Sequence, residues 1–529
     1  MPRDTPAPTL RRVLGGGPFA ETGDPSVAVV DGRSGLVGVG GDLGGVQWSG
    51  NGTADDGWSG HRVGVYEPDG LRCRHLLRSR KPVRSLAFHP VLPLLAVGTG
   101  AYDGGYCFEG ELLLVHLDTG EVVSALERDR EVLDVAWLSW TELRMVLAPP
   151  DDWVDPGARE QGHTVVVSRA DWGAVGARAV RAEEVDATVA PYAWPDRAPR
   201  ARRLLAELAG AVGLDRSVRR RVWAVEGLAD GRVLAALDGV LAEAWLPSGR
   251  RQWAVEDEEG GRQLLPGSDG VSVWTDAERR GRRTRSGWER SAPRVARIAL
   301  DTGRVLETVS AGEYALLVAG GGKRLVLRPV EDHRKADRRL LLFELDGTAA
   351  EGPEVRGFDL FYHPFPMHRS SRPYVLVGTD PEWAHKGLWV AAVDPDGALR
   401  PLFPHSWVPR EHHFGGPAVE IGESLVYVGS VHHPQGHGDS YVVRRSLDGE
   451  VLWEHRAAHR ATALDTDGET VFSADNSGAL TALDAATGVV LWQTTLTVGG
   501  VPTCALSLAV APQGRLLVGT VDGRVLEYG

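Results

Sequence analysis

VGTGAYDGGYCFEGELLLVHLDTGE, residues 97–121, sets a short apolar run, a long insertion of glycines and aromatics, a second apolar run and an Asp-Thr-Gly turn in line. Short apolar runs bounded by turn residues read as β-strands. A glycine with positive φ beside an Asp acceptor is what a tight hairpin requires. The same order recurs along the chain with its middle rewritten. Turns of this type follow apolar runs at YEPDG (66–70), LDTG (117–120), ADWG (170–173), LPSG (246–249), LDTG (300–303), LDG (345–347), DPDG (394–397), LDG (447–449) and DAATG (484–488). Successive glycines stand 39 to 54 residues apart, save for one interval of 76. That interval contains ARRLLAELAGAV (201–212), whose apolar residues fall at helical spacing and predict an inserted helix.

Four strands per period of this length are the mark of propeller blades. The expected fold is therefore all-β: a β-propeller of about ten four-stranded, blade-like units with one small helical insertion. Units fall near 26–79, 82–130, 131–180, 219–257, 262–310, 313–356, 357–407, 412–457 and 460–496. An incomplete one follows at 502–529, which offers three strands, and TLRRVL (9–14) is the expected fourth, closing the ring by pairing the two chain ends. The domain reading is an N-terminal segment 1–25 with this closing strand, blades over 26–190, a helical insertion at 191–220 and blades over 221–529. Ten blades exceed the usual four to eight, so fewer blades with large insertions, or two rings divided at 190–220, stay open as alternatives.

Two units resemble known repeats. PVRSLAFHPVLPLLAVGTG, continuing to ELLLVHLDTGEVV (82–123), resembles a WD-repeat blade in its strand order and in Phe88-His89-Pro90, with His116-Leu117-Asp118 where the Trp-Asp pair would lie. TVFSADNSGALTALDAATGVVLWQ (470–493) resembles the repeat of quinoprotein-type (PQQ-like) propellers in Ala482-Leu483-Asp484, Thr487-Gly488 and Trp492. These resemblances imply blades and leave function open.

The 529 residues carry a net charge of −13, which argues against nucleic acid and anionic membranes as partners. The exception is ERRGRRTRSGWER (278–290), Arg-rich around Trp288, which could grip a phosphate backbone but reads more simply as a solvated loop. No apolar run approaches membrane-helix length, and the N-terminus lacks the apolar core of a secretory signal, so the expected compartment is the cytoplasm. Cys73, Cys107 and Cys504 are too few and too scattered for a disulfide framework or a thiolate zinc site, and are expected to be buried or inert.

The hairpin between second and third strands projects from one face of each blade. It is minimal at 237–240, 474–478 and 520–523, and long at 40–61, 99–110, 149–163, 275–293, 330–337, 379–387 and 430–440. The long hairpins carry Trp48, Trp58, Tyr102, Tyr106, Phe108, Trp153, Trp288 and Trp383. Aromatics of this kind concentrate at interaction hot spots, and these eight are the candidate partner-binding residues; the competing reading is that some only stiffen the rim. His432, His433, His437 and Asp439, with His412 and His413 on the same unit, are the candidate metal ligands, weaker than a reading of solvated loop histidines. No nucleophile elbow, phosphate loop or Cys-x-x-Cys is present, so no catalytic residue is assigned and no cofactor is called for. The expected function is a non-catalytic scaffold that presents its long-loop face to a protein partner. The alternative is an enzyme or ligand receptor, a metal-dependent hydrolase or lyase or a quinoprotein-like enzyme, using the central funnel.

Overall fold

The computed structural model describes residues 7–43, 60–103, 106–153, 155–185, 189–193, 195–214, 218–277, 281–284, 287–290, 294–310, 317–319, 324–327, 337–344, 349–356, 367, 370–378, 388–394, 398–405, 412–432, 440–457 and 459–529. Among them stand ten antiparallel sheets of three or more strands, nine of them built from strands that follow one another along the chain. Nine start close to where the repeat places them; in the sheet expected over 357–407 the first of three described strands is Tyr374–Gly378. The tenth holds the three strands Ala505–Ala511, Arg515–Thr520 and Val525–Tyr528, completed by Leu10–Leu14. Leu14 faces Val525 and Leu10 faces Tyr528 across that last pairing, so the two ends of the chain share one sheet, as expected.

The chain divides into two compact units: one holds the described residues from 16 to 218, the other those of 7–15 and 219–529. The smaller unit contains three sheets, spanning 24–79, 83–124 and 132–191. Their first strands, Asp24–Val30, Val83–Phe88 and Val132–Trp137, lie side by side. Two apolar clusters fill the gaps between consecutive sheets, one around Val63, Leu86 and Val97, the other around Leu112, Met145 and Trp172. Because a sheet covers each face, central strands such as Leu94–Thr99 are buried along their whole length and read as unbroken apolar runs.

The predicted helix spans Ala198–Ala211, with Pro199 in its first turn. It turns Ala201, Leu205 and Ala209 inward, and the last two pack on Val37, Val39 and Tyr66 of the first sheet. An Arg202–Asp24 ion pair at 2.8 Å ties the helix to that sheet's first strand. ADWG (170–173) is not the hairpin turn its residues suggested. Asp171 accepts the Gly173 amide at 2.8 Å and caps a short 3-10 helix, Trp172–Ala174, that drives Trp172 into the core; Gly173 needs no positive φ there. The glycines at 347 and 397 lie outside the described residues.

The larger unit contains the other seven sheets. Its last sheet packs on the one that begins at Val222: the Ser507 hydroxyl donates to the Val222 carbonyl at 2.9 Å, and Ala509, Leu517 and Val525 share a cluster with Val225 and Val233. One device repeats between neighbours. The Trp253 indole N–H donates to the Leu300 carbonyl at 2.9 Å and the Trp453 indole to the Ala485 carbonyl at 2.8 Å, in each case from a fourth strand to a turn of the next sheet. The rings lie against Gly303 and Gly488, where a Cβ would stand 2.8 and 2.7 Å from ring carbons, and both glycines hold a positive φ, 70° and 71°. These turns need glycine twice over, for the backbone and for the seat of the ring. In the smaller unit the His75 imidazole Nε2 stands 2.7 Å from the Leu117 carbonyl in the equivalent place.

Short loops are fixed by Asp acceptors. Asp269 takes the Val271 and Ser272 amides, both at 3.0 Å, and an Arg297 N–H at 2.6 Å. Burial alone would raise this carboxyl, but the hydrogen bonds from Val271, Arg297 and Ser272 outweigh it and hold it at about 2 against an ordinary 3.8. A depressed folded value means the contribution is in place above about pH 4 and fades as pH falls toward about 2. Asp269→Asn is expected to lower the urea midpoint at neutral pH, with the gap to the parent protein narrowing below about pH 4. Midpoints measured across that range check the sign.

Candidate functional site

The smaller unit brings two of the long hairpins together. The first leaves Leu94–Thr99, pairs Tyr102 with Phe108 in a short ribbon, and turns at Asp103, whose carboxylate accepts the Tyr106 and Cys107 amides at 2.9 and 3.0 Å. The second leaves Glu142–Leu147 and returns through a 3-10 helix, Pro156–Glu160, capped by Asp155, which also takes the Gln161 side-chain amide. Asx caps of this sort pin a loop with its own side chains.

Backbone bonds join the hairpins. The Phe108 amide donates to the Pro150 carbonyl at 3.2 Å, the Asp152 amide to the Tyr106 carbonyl at 3.0 Å, and Cys107 bridges Asp151 between them. Below this seam Phe108 is buried with Leu133, Val146, Ala148 and Ala158, while Tyr102 packs at the edge, its hydroxyl 3.4 Å from an Asp152 carboxylate oxygen. Above it, the rings of Tyr106 and Trp153 stack at 3.7 Å between centroids and 18° between planes, and they stay 47% and 65% exposed. Large aromatics left this open on a pinned loop are uncommon unless something covers them.

The eight candidate aromatics thus separate. Tyr106 and Trp153 form one exposed ledge, Tyr102 is half-buried, and Phe108 belongs to the rim's own core. Trp48, Trp58 and Trp383 lie outside the described residues, and Trp288 sits in a two-stranded ribbon, Gly281–Thr284 with Gly287–Arg290. The pairing of Tyr106 with Trp153 was hidden in the sequence because it joins two hairpins; the only signal was that both were long and aromatic.

Of the metal candidates, His433, His437 and Asp439 lie outside the described residues and His432 ends the strand Ser424–His432, paired with His412. Among the described residues no three His, Cys, Asp or Glu side chains gather as a metal site would require. Cys504 is buried and Cys73 partly so, as expected, but Cys107 is exposed at the seam of the ledge.

Two clefts lie among the described residues. A cleft of about 290 Å³ in the smaller unit lies beside Arg84 and Arg197, which bind Glu131 at 2.9 Å and Asp134 at 2.7 Å respectively. The Glu131 carboxyl is pushed up by burial, against the pull of Arg84. An open cleft of about 540 Å³ in the larger unit is lined by Arg12 and Arg515, both of which bind Glu527, whose carboxyl their hydrogen bonds hold low against the effect of burial. In both places the cations brace strands and loops that the fold already uses. No helix among the described residues is long and apolar enough to cross a membrane.

A family model agrees with this architecture over part of the chain. The family model described as outer membrane protein assembly factor BamB, a PQQ-type repeat, matches residues 387–528, about a quarter of the chain. The matched region contains the 470–493 repeat, and it carries PQQ-like propeller blades. The solved structure of U3-55K superposes with a TM-score of 0.42 at 12% identity, covering 59% of this chain and 96% of that one. No curated protein sequence matches the chain.

Proposed function

We propose that this propeller-repeat protein is a non-catalytic interaction scaffold, and that a protein partner docks on the rim of long hairpins through Tyr106 and Trp153. The observation that carries the reading is the exposed stacked pair on a seam held by backbone hydrogen bonds. A rigid aromatic ledge contributes binding area without the ordering cost of a loose loop. The name of the family matched over 387–528 denotes an assembly factor, which favours a binding role over catalysis.

The test is affinity capture from the native cell with the intact chain and with Trp153→Ala and Tyr106→Ala. Trp153 is 65% exposed, so its removal is expected to change stability by no more than about 0.5 kcal/mol. Loss of at least one captured protein supports the reading. An unchanged set from a normally folded Trp153→Ala chain refutes it.

A further inference from the structure

The chemistry of the ledge narrows the kind of partner it takes. Its aromatic surface is ringed by carboxylates: Asp103 at the turn of the first hairpin, Glu109 on its ribbon, and Asp151 and Asp152 on the second hairpin. Two of them are fixed by the loops themselves, Asp103 through the Tyr106 and Cys107 amides and Asp151 through the Trp153 amide at 3.3 Å. Among the described residues, Lys81 pairs with Glu109. The Cys107 thiol, set among these groups, registers their field. Partial desolvation raises its pKa, and Asp103, Asp151, Glu109 and Asp152 push it up further. An electron-rich indole and phenol beside several carboxylates favour one class of ligand group, a planar cation that can lie on the rings while its N–H groups reach the acids.

We propose that the Tyr106–Trp153 ledge is a docking site for an extended, arginine-containing segment of a partner protein. The inference rests on the scaffold reading and deepens it. Guanidinium fits better than ammonium because it stacks on an aromatic face and still donates in plane to carboxylates. An acidic segment is disfavoured by the ring of aspartates. The net charge of −13 adds longer-range attraction for a basic ligand. The bonded seam means that the ledge is in place before the ligand arrives.

The experiment is a fluorescence-anisotropy titration of the full chain with dye-labelled peptides of about eight residues, alternating Gly with Arg in one and Gly with Glu in the other. The expected result is saturable binding of the Arg peptide, weakened about tenfold by Trp153→Ala and severalfold by Asp151→Asn with Asp152→Asn. Asparagine keeps an acceptor for the Trp153 amide, so this variant removes charge and leaves the loop bonded. Raising salt from about 50 to about 300 mM should weaken binding severalfold. No binding of the Arg peptide, equal binding by Trp153→Ala, or equal binding of the Glu peptide overturns the proposal. Loss of a captured cellular partner in Trp153→Ala without Arg-peptide binding overturns the cationic ligand and leaves the scaffold standing. Trp153-dependent peptide binding beside an unchanged captured set does the reverse.

Discussion

Replacing Arg219 by methionine is expected to destabilise the larger unit by about 3–5 kcal/mol, the usual cost of stripping one partner from a buried ion pair. The Arg219 and Glu243 side chains are 6% and 0% exposed and meet through two bonds, at 2.9 and 2.6 Å. Arg219 Nε also donates to the Gly523 carbonyl at 2.8 Å, its guanidinium lies 5.5 Å from the Trp245 ring centre, and the Trp245 indole donates to Glu243 at 2.8 Å. Methionine fills the volume but leaves a carboxylate in the core, with Arg251 at 3.8 Å as its nearest remaining cation. The pair itself need not be strongly stabilising, because desolvation of both charges offsets most of their attraction. Arg219→Met with Glu243→Leu is therefore expected to recover most of the loss. Urea unfolding of the two variants measures both steps. A single variant within about 1 kcal/mol of the parent would show that water reaches the carboxylate.

Trp453→Ala is expected to cost a similar amount, about 3–5 kcal/mol, because the site cannot collapse around a missing indole. The ring is 7% exposed, lies against Gly488 and donates to Ala485, so it fastens one sheet to the turn of the next. Trp453→Phe keeps the ring contact and loses the hydrogen bond, for about 1 kcal/mol. Gly488→Ala attacks the same joint from the other side: its methyl would sit on a left-handed backbone and only 2.7 Å from a ring carbon of Trp453. Hydrogen exchange localises the damage. Protection should fall in Ala461–Thr466 and Ala479–Asp484 before it falls in the sheet from Val222. Uniform loss would contradict a local joint.

Much of this architecture is local and so is written in the chain. Apolar runs, Asp-x-Gly turns and a period near that of a blade placed nearly all the sheets, and the three-stranded end pointed to Leu10–Leu14 as its fourth strand. The helix showed itself by spacing alone. What stayed hidden depends on neighbours. Gly303 and Gly488 read as turn residues, but their second role, as seats for Trp253 and Trp453, appears only when consecutive sheets pack. Gly173 fooled the turn pattern because Asp171 caps a 3-10 helix with the same short-range bond that closes a hairpin turn. At the ledge, composition marked both hairpins as aromatic. Phe108 turned inward and Tyr106 outward because a ribbon register and a cross-hairpin seam, neither legible locally, decide which ring faces water.

The sheet shared by the chain ends also sets a timetable. The residues of Leu10–Leu14 leave the ribosome well ahead of their partners at Val525–Tyr528, which emerge more than 500 residues later. At roughly 5–20 residues per second, that strand waits on the order of half a minute to two minutes with an unpaired edge. Any wrong strand that pairs with it in that interval must be expelled before the native sheet can form, so slow translation and a chaperone bound at Leu10–Leu14 should have opposite effects on yield.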